Sequence, residues 1–345
     1  MRLLVVTQAV DLDDPVLGFF HGWLLVLASR VERLEVICLK EGRHALPENV
    51  RVHSLGKEAG KKSRLAYSWR FLTLVRQLRK DYGRAFIHMN EEYLLIAGWY
   101  WRLHGIRTLL WRNHRMGSWR TRIAMLLANV TCYTSPDTYV ARHSRKAVPM
   151  PVGIDTELFT PAATPVATKN ILFLGRLDPV KKVEEFIEAL EVLAAEGTSF
   201  NVDIYGSPTE ADSPYARSVR EKVVPLIEKG LVSLQPAVAH TEAAALFRSH
   251  YIYVNLTPSG SFDKTILEAM ASGCIVVCAN EACRGVLPDE LITDGTPQAT
   301  PASLREALSL PRERAQTIAG NSRAFVEDHH SISLLADKLV SILSV

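Results

Sequence analysis

A lysine and a glutamate in one short segment, Lys264 and Glu268, have the types and spacing needed to bind a phosphorylated ligand. They follow a loop rich in Pro, Gly and Ser that begins at Thr257 and leads into an expected helix. Such a loop presents free backbone N–H groups and the positive end of a helix dipole to an anion, and Lys264 adds a point charge. Glu268 would accept hydrogen bonds from two hydroxyls of a ribose. A glutamate on a solvated helix face is the plainer alternative.

A second pair of chemically active residues, Arg176 and Lys181, follows a short apolar run at Asn170 to Leu174 that is typical of a strand. Two such cations could bind an anion and stabilise negative charge on it without a metal ion. Both side chains could instead be ordinary surface bases.

The elements that must position these residues follow from the apolar runs and the residues that break them. The helix is expected to begin near Ser261 or Asp263, which are good N-caps, and to stop at Gly273. The run Ile275 to Val277 is continuously apolar and β-branched, as in a strand covered on both faces of a parallel sheet. Strands alternate with helices along the 345 residues, which predicts an α/β fold with parallel sheets and, from the length, two domains.

These motifs resemble the donor site of retaining GT-B glycosyltransferases of the family-four type, which are related to sucrose and glycogen synthases. The chain keeps Phe262 and the run Leu267-Glu268-Ala269-Met270-Ala271-x-Gly273-x-x-Val276-Val277. It also has a Gly-Arg-Leu…Lys motif at Gly175 to Lys181, and Pro149 to Phe159 is similar to the family's Pro-x-Gly-Val-Asp-x-x-x-Phe segment. It departs from the family where Gly260 replaces the first of two glutamates and Asp263 replaces a glycine. Asp263 could substitute for the missing carboxylate.

The resemblance is strong in residues 170–280 and weak in residues 1–150. It implies the GT-B architecture, in which two Rossmann-like domains with parallel sheets face each other across a cleft. Residues 1–160 would form the acceptor-side domain, residues 161–168 a linker, and residues 169–325 the nucleotide-sugar donor domain. Residues 326–345 would form a C-terminal helix that crosses back to the first domain.

The resemblance also implies a set of site residues. Those expected to bind the donor are Gly18, Arg176, Lys181, Gly206, Val238, Ser261, Phe262, Lys264, Thr265 and Glu268. Those expected to act in catalysis are His114, Asp263, Arg176 and Lys181. Those expected on the acceptor side are His21, His88 and Asn90. For His114, at the end of a predicted strand, a purely structural role is the alternative.

The function that the resemblance implies is that of a retaining hexosyltransferase. It would move a sugar from a UDP- or GDP-sugar to an acceptor hydroxyl, in cell-surface polysaccharide or glycolipid synthesis, with no metal and no other cofactor. Two alternatives stay open: an epimerase or hydrolase of nucleotide sugars on the same fold, and a non-catalytic nucleotide-sugar-binding protein, which the loss of a glutamate at Gly260 would suggest. A dehydrogenase is excluded because no G-x-G-x-x-G follows any predicted strand.

The charges are divided unevenly along the chain. Residues 1–160 contain 24 Lys and Arg against 14 Asp and Glu, whereas residues 161–345 contain 16 against 23, and all six Trp lie in the first half. Eight basic residues between Lys57 and Lys80 alternate with apolar residues at helical spacing. This helix is either a core helix with a basic outer face or an interfacial helix on anionic lipid. The expected acceptor is a carbohydrate or a lipid-linked molecule, with peripheral contact to an anionic membrane and no binding of nucleic acid.

The remaining composition is that of a globular protein. The apolar runs are shorter than a membrane helix requires, and Leu3 to Val6 is followed by aspartates, so that it is expected to be a first strand and not a signal peptide. The five cysteines have no zinc-binding spacing and are expected to be reduced core thiols. The expected location is the cytoplasm, with a position at the inner face of the membrane left open.

Overall fold

The computed structural model describes residues 1–14, 16–164, 166, 169–210, 213–258 and 262–345. Its contacts divide the chain into two units, one of Met1–Gly153 with Ile332–Val345 and one of Ile154–Ser331. The predicted linker, residues 161–168, lies in the second unit and includes Pro165, Ala167 and Thr168, which are outside the described residues.

The first unit is built on seven strands within its described residues. They are β1 Arg2–Val10, β2 Arg33–Glu41, β3 Val50–Ser54, β4 Arg84–His88, β5 Arg107–Trp111, β6 Val130–Tyr133 and β7 Ala147–Pro149. Its helices before residue 153 are α1 Phe20–Ala28, α2 Arg64–Gln77, α3 Glu92–Leu103, α4 Trp119–Leu127 and α5 Tyr139–His143. The strands form one parallel sheet in the order β3-β2-β1-β4-β5-β6-β7.

The second unit has five strands in the part of it that the structure describes. They are β8 Asn170–Leu174, β9 Asn201–Tyr205, β10 Val232–Gln235, β11 Ile252–Asn255 and β12 Ile275–Cys278. Its helices are α6 Val183–Ala195, α7 Pro214–Glu228, α8 His240–Ser249, α9 Lys264–Ala271, α10 Thr300–Ser309 and α11 Arg312–His330. The strands are again parallel, in the order β10-β9-β8-β11-β12. The prediction of two α/β units with parallel sheets is confirmed.

The last helix, α12 (Ile332–Ser344), belongs to the first unit. Its Leu335 and Leu339 lie in one buried cluster with Trp23 and Leu24 of α1. Apolar residues at 3.6-residue spacing explain this packing, because they place one continuous stripe against the sheet and its neighbouring helix.

The core of the first unit lies on both faces of its sheet. Along β1, Leu3 and Val5 pack with α1 and α12, whereas Leu4 and Val6 pack with α2, α3 and α4. This follows from the two-residue period of a strand, which sends successive side chains to opposite faces. The helices α2, α3 and α4 therefore form one layer on one face of the sheet.

Local chemistry sets the ends of the elements. Gly273, with φ 77°, ends α9 as predicted. The strand β10 stops at Gln235, because Pro236 has no N–H for the sheet ladder. The strand β4 stops at His88, because Met89 has φ 69° and leaves the extended conformation. The five cysteines are free and buried, as expected. Among the described helices, none combines the length and the apolar composition needed to cross a membrane.

Candidate functional site

The loop after β8 carries Arg176 and Lys181. Residues Pro179–Lys181 form a 3-10 turn, and Lys182 then has a left-handed backbone, φ 54°, before α6. A left-handed conformation costs a residue other than glycine about 1 kcal/mol or more, so the surrounding structure must hold this loop in place. The exposed guanidinium of Arg176 lies 3.2 Å from Asp178 Oδ2.

Lys181 forms an ion pair with Asp263, the residue just before α9. Lys181 Nζ also donates a hydrogen bond to Thr257 Oγ1 at 3.3 Å, and Asn255 Nδ2 donates to Asp263 Oδ2 at 3.1 Å. Burial alone would raise the pKa of Asp263, but the Lys181 charge and the hydrogen bonds outweigh it, so that the pKa is lowered. Asp263 is therefore ionised and holds the Lys181 ammonium beside the carboxyl ends of β8 and β11.

Two further side chains, those of Thr265 and Tyr253, extend the hydrogen-bond network of Asp263. Thr265 Oγ1 donates to Asp263 Oδ1 at 3.1 Å, and the Tyr253 hydroxyl donates to Thr265 Oγ1 at 2.7 Å. Burial raises the pKa of Tyr253 well above its ordinary value, so its hydroxyl stays neutral and remains a donor. Because its carboxylate is engaged in this network, Asp263 makes no side-chain cap of α9. Thr265, which was expected at the donor, thus lies within the hydrogen-bond network of Asp263.

Lys264 is the first residue of α9. Burial lowers its pKa to about 8, an effect that the nearby carboxylates Glu268 and Asp155 partly oppose. An ammonium group with a pKa this close to neutrality changes its charge over a range of pH that is easily reached in solution.

Glu268 lies in the second turn of α9 and is only 2% exposed. Its Oε1 atom is 2.9 Å from Nε2 of His240, the first residue of α8. The His240 ring in turn packs edge-on against Phe159, with the ring centres 5.2 Å apart. The alternative of a glutamate on a solvated helix face is therefore wrong, because this carboxylate is buried and paired with an imidazole.

Four other residues of the second unit are expected at the donor: Gly206, Val238, Ser261 and Phe262. A Cβ atom at Gly206 would come within 2.1 Å of Gly175 O, so only glycine allows the end of β9 to approach the loop after β8 this closely. Val238 is half-buried in the loop between β10 and α8, and Phe262 is half-buried with its ring 5.3 Å from that of His330. Ser261 lies outside the described residues, as do Ser259 and Gly260.

In the first unit, His88 is the last residue of β4, and Asn90 lies two residues beyond it. His88 is buried, its ring stacks on Phe20 with the centres 4.3 Å apart, and its Nδ1 is 3.3 Å from Thr7 Oγ1. Asn90 is half-buried and follows the left-handed Met89. His88 is thus part of the packed core at this strand end.

Two more expected residues lie close to the end of β1. Gly18 is in the turn before α1, where its N–H donates to Asp14 O at 2.9 Å. His21 is buried, and its Nε2 accepts a hydrogen bond from Ala45 N–H at 3.0 Å. Burial lowers the pKa of His21, which favours the neutral imidazole that this acceptor role requires.

His114 lies in the loop after β5 and is exposed. Its Nδ1 is 2.9 Å from Met116 O, a contact that orients the ring within its own loop. Gly18, His88 and His114 thus lie at or after the carboxyl ends of β1, β4 and β5, the edge at which ligands bind in open parallel sheets.

The sequence reasoning did not identify His240, Tyr253 or Asn255. Asn255 had a usable signal, because it is a polar residue at the end of an apolar strand. His240 had none, since its pairing with Glu268 spans 28 residues and depends on how α8 packs beside α9. Across the described residues, no group of three or more His, Cys, Asp and Glu side chains could hold a metal ion.

Comparison with known proteins finds a family match for the part of the chain that carries this site. Residues 168–319 match the model of the family described as glycosyl transferases group 1. A digalactosyldiacylglycerol synthase 2 of Glycine max is 30% identical over 113 residues, which is 33% of this chain and 22% of that protein. The corresponding protein of Lotus japonicus is 29% identical over the same length. The match thus spans about a fifth of the length of these relatives.

Several solved structures have the same fold over the whole chain. The Anabaena protein HepE in complex with UDP and glucose has a TM-score of 0.77 at 16% identity, covering 100% of this chain and 99% of that one. A sucrose-phosphate synthase of Thermosynechococcus elongatus has a TM-score of 0.72 at 17% identity, covering 100% and 98%. The predicted fold class is therefore confirmed. This chain therefore has the GT-B fold, and most of its second unit matches the glycosyl transferases group 1 family.

Proposed function

We propose that this protein is a retaining hexosyltransferase that moves a sugar from a nucleoside diphosphate sugar to a hydroxyl group of an acceptor. The observation that carries the proposal is the arrangement around α9. The Lys181 ammonium is held by Asp263, and Lys264 and the buried Glu268 follow within two turns of the same helix. Cations for a diphosphate and a carboxylate for a ribose are thus positioned by one short element.

Arg176, Lys181 and Lys264 would bind the diphosphate. Arg176 lies beside Asp178 and Lys181 beside Asp263, so both cations have a carboxylate partner within the protein. Phosphate oxygens would take over part of each cation's hydrogen bonding when the donor binds. The aspartates hold both cations in place before the donor binds. The cations then stabilise the negative charge of the transition state without a metal ion.

Glu268 would accept hydrogen bonds from the ribose hydroxyls while His240 fixes the orientation of its carboxylate. In the transfer itself, the bond between the sugar carbon and the phosphate oxygen breaks. A new bond to the acceptor oxygen forms on the same face, and the acceptor proton passes to the leaving phosphate. In this mechanism no side chain acts as a nucleophile. His114 and Asp263 are assigned to positions near the sugar.

The comparisons support one class of donor and one class of acceptor over the others. A UDP-sugar is favoured over a GDP-sugar, in line with the UDP-bound structures of similar fold. A lipid-linked acceptor is favoured over a free carbohydrate, since the curated relatives are named for a diacylglycerol glycolipid. His21, His88 and Asn90 are assigned to the acceptor side, and the reaction is assigned to the cytoplasm at the inner face of the membrane.

The test is a panel of uridine, guanosine and adenosine diphosphates and their sugar conjugates, with binding followed by calorimetry and turnover by release of the nucleoside diphosphate. We expect one nucleotide to bind selectively, and turnover to need an acceptor and to survive a chelator. Arg176→Ala and Glu268→Ala should each lower turnover by about a hundredfold or more. Arg312→Ala, which removes an exposed arginine at the start of α11, serves as the matched control.

Other outcomes would change the assignment. Full activity in both Arg176→Ala and Glu268→Ala would disprove the proposed site. Donor turnover without any acceptor would indicate an epimerase or hydrolase. Nucleotide binding that never leads to release from a sugar donor would indicate a binding protein, a result that Gly260 in place of the family glutamate would explain.

A further inference from the structure

The large apolar side chains that face solvent are concentrated on three helices of the first unit. Trp69 on α2 is 72% exposed, Leu103 on α3 is 76% exposed, and Trp119 at the start of α4 is 67% exposed. Trp99 and Leu126 are exposed as well. Single exposed apolar residues are common on protein surfaces, but a concentration of this size marks an interaction surface.

The spacing of these residues gives each helix a second apolar stripe. Leu65 and Trp69 on α2, and Trp99 and Leu103 on α3, are four residues apart. On α4, Trp119 is followed at intervals of four and three residues by further exposed apolar side chains, Ile123 and Leu126. Residues at these intervals lie on one face of a helix. The opposite face of each helix already packs on the sheet, so these stripes serve no purpose in the core of the unit.

The three stripes lie on the same side of the molecule. The helices α2, α3 and α4 form one layer on one face of the sheet, and the stripes are on the side of that layer away from the sheet. Gly98 of α3 lies against Leu127 of α4, which brings these two helices close together. We call the outward side of the three helices the tryptophan face, made of Leu65, Trp69, Trp99, Leu103, Trp119, Ile123 and Leu126.

The helices of the tryptophan face also carry exposed arginines, Arg102 on α3 and Arg120 and Arg122 on α4. Residues 93–154 contain a single acidic residue, Asp137, and nine basic ones: Arg102, Arg107, Arg112, Arg115, Arg120, Arg122, Arg142, Arg145 and Lys146. Within the described part of the chain, only Arg112 of these nine has a carboxylate within ion-pair distance, that of Glu91. The Arg120 guanidinium lies over the Trp119 ring, 5.5 Å from its centre.

We infer that the tryptophan face docks the protein on the surface of an anionic lipid bilayer. Tryptophan prefers the boundary between lipid headgroups and acyl chains, and arginine can extend its charged end to phosphates at the same depth. Aliphatic side chains at helical spacing insert beside them, as in an amphipathic helix that lies in the membrane plane. A second copy of the chain fits less well, because a two-fold contact would bring the same arginine-rich face against itself.

This inference does not depend on the proposed transfer reaction, because binding to vesicles is measured without donor or acceptor. The full chain is sedimented with vesicles of phosphatidylcholine alone and of phosphatidylcholine with phosphatidylglycerol. We expect binding to the anionic vesicles only, a blue shift of the tryptophan emission, and weaker binding as salt is raised. The triple variant Trp99→Ser, Leu103→Ser, Trp119→Ser should bind at least about tenfold more weakly.

The matched control replaces three exposed apolar residues of the second unit, Val192→Ser, Val224→Ser and Ile227→Ser, and should bind as the wild type does. Circular dichroism of both triple variants checks that the fold is kept. Failure of the wild type to bind anionic vesicles would overturn the inference, and so would equal binding by the Trp99, Leu103 and Trp119 variant. A wild-type dimer in solution that this variant dissociates would identify the face as a contact between copies instead.

Discussion

The two units have the same parallel α/β architecture but use their charges in opposite ways. The first unit holds 25 Lys and Arg against 13 Asp and Glu, and the second holds 15 against 24. In the second unit, two cations of the candidate site are paired with aspartates, Arg176 with Asp178 and Lys181 with Asp263. In the first unit, most arginines of residues 93–154 have no described carboxylate partner, and Arg120 lies over the exposed Trp119 ring.

This difference indicates what each unit is suited to bind. A compact, internally balanced set of charges favours a small anion that can replace the internal partners, as a diphosphate would. An excess of one sign spread over three helices favours an extended surface of the opposite sign. The comparison can be tested by removing a positive charge from each unit and by changing pH.

The largest expected effect comes from removing the cation of the internal pair. Lys181→Met should lower turnover by about a hundredfold or more, because a phosphate ligand is lost. It should also lower the free energy of unfolding by about 3 kcal/mol, because Asp263 is left mostly buried without its counter-ion. Urea unfolding and the assay of nucleoside diphosphate release measure the two effects.

The double variant Lys181→Met, Asp263→Asn separates these effects. It should regain most of the lost stability and none of the lost turnover. In the first unit, Arg120→Met should change stability by less than about 0.5 kcal/mol, because that charge has no buried partner. A double variant as unstable as Lys181→Met alone would show that the ion pair is not what holds the site together.

A smaller effect is expected from pH. Since the pKa of Lys264 is lowered to about 8, this side chain loses its charge as pH rises from 7.5 to 9.5. Affinity for the nucleoside diphosphate should fall about fivefold over this range, because a charged hydrogen bond becomes a neutral one. Lys264→Arg should remove this dependence. Vesicle binding through the arginines should be unchanged, since arginine stays charged throughout.

The lowered pKa of Lys264 also leads to a prediction about the stability of the folded protein. Burial lowers the pKa of Lys264 in the folded protein, so between pH 8 and the ordinary value of 10.5 the unfolded chain binds more protons. The contribution of Lys264 to the free energy of unfolding should therefore rise with pH in this window. Comparing urea unfolding of wild type and Lys264→Met across the window isolates this contribution. A difference between the two that does not change with pH would contradict the assignment.

The smallest effect concerns backbone strain. Among the described residues, each unit has one residue other than glycine with a positive φ. Met89 follows β4 with φ 69° and Lys182 precedes α6 with φ 54°. Met89→Gly should raise the unfolding free energy by about 1 kcal/mol, because glycine adopts this conformation without steric cost. Lys182→Gly should gain less, since Lys182 Nζ donates to Gly295 O at 3.2 Å and this bond would be lost. Thermal unfolding of the two variants gives the comparison.

The sequence was most informative where the decisive contacts are local. The strand Ile275–Cys278, the stop at Gly273 and the short loop from Gly175 to Lys181 could be predicted because each depends on neighbouring residues. The pairing of Lys181 with Asp263 spans 82 residues and depends on β8 and β11 being adjacent in the sheet. Sequence patterns gave no direct sign of it.

The residues of the tryptophan face could not be predicted from the sequence for a different reason. The basic helix between residues 57 and 80 was visible as a candidate for a membrane surface, because its polar and apolar residues alternate. On α3, apolar residues occupy nearly all sides, so the outward pair Trp99 and Leu103 could not be separated from the buried Leu94 and Trp101. Only the packing on the sheet distinguishes the two faces.

The position of α12 has a consequence for how the chain matures. This helix supplies Leu335 and Leu339 to the core beside Trp23 and Leu24, although about 300 residues separate the two groups in the sequence. A ribosome that has released the first 153 residues has therefore delivered a sheet in which this face is covered by α1 but lacks α12. The apolar surface that α12 later covers stays open while the whole second unit is being synthesised, which makes this interval the one in which the nascent chain most needs protection from aggregation.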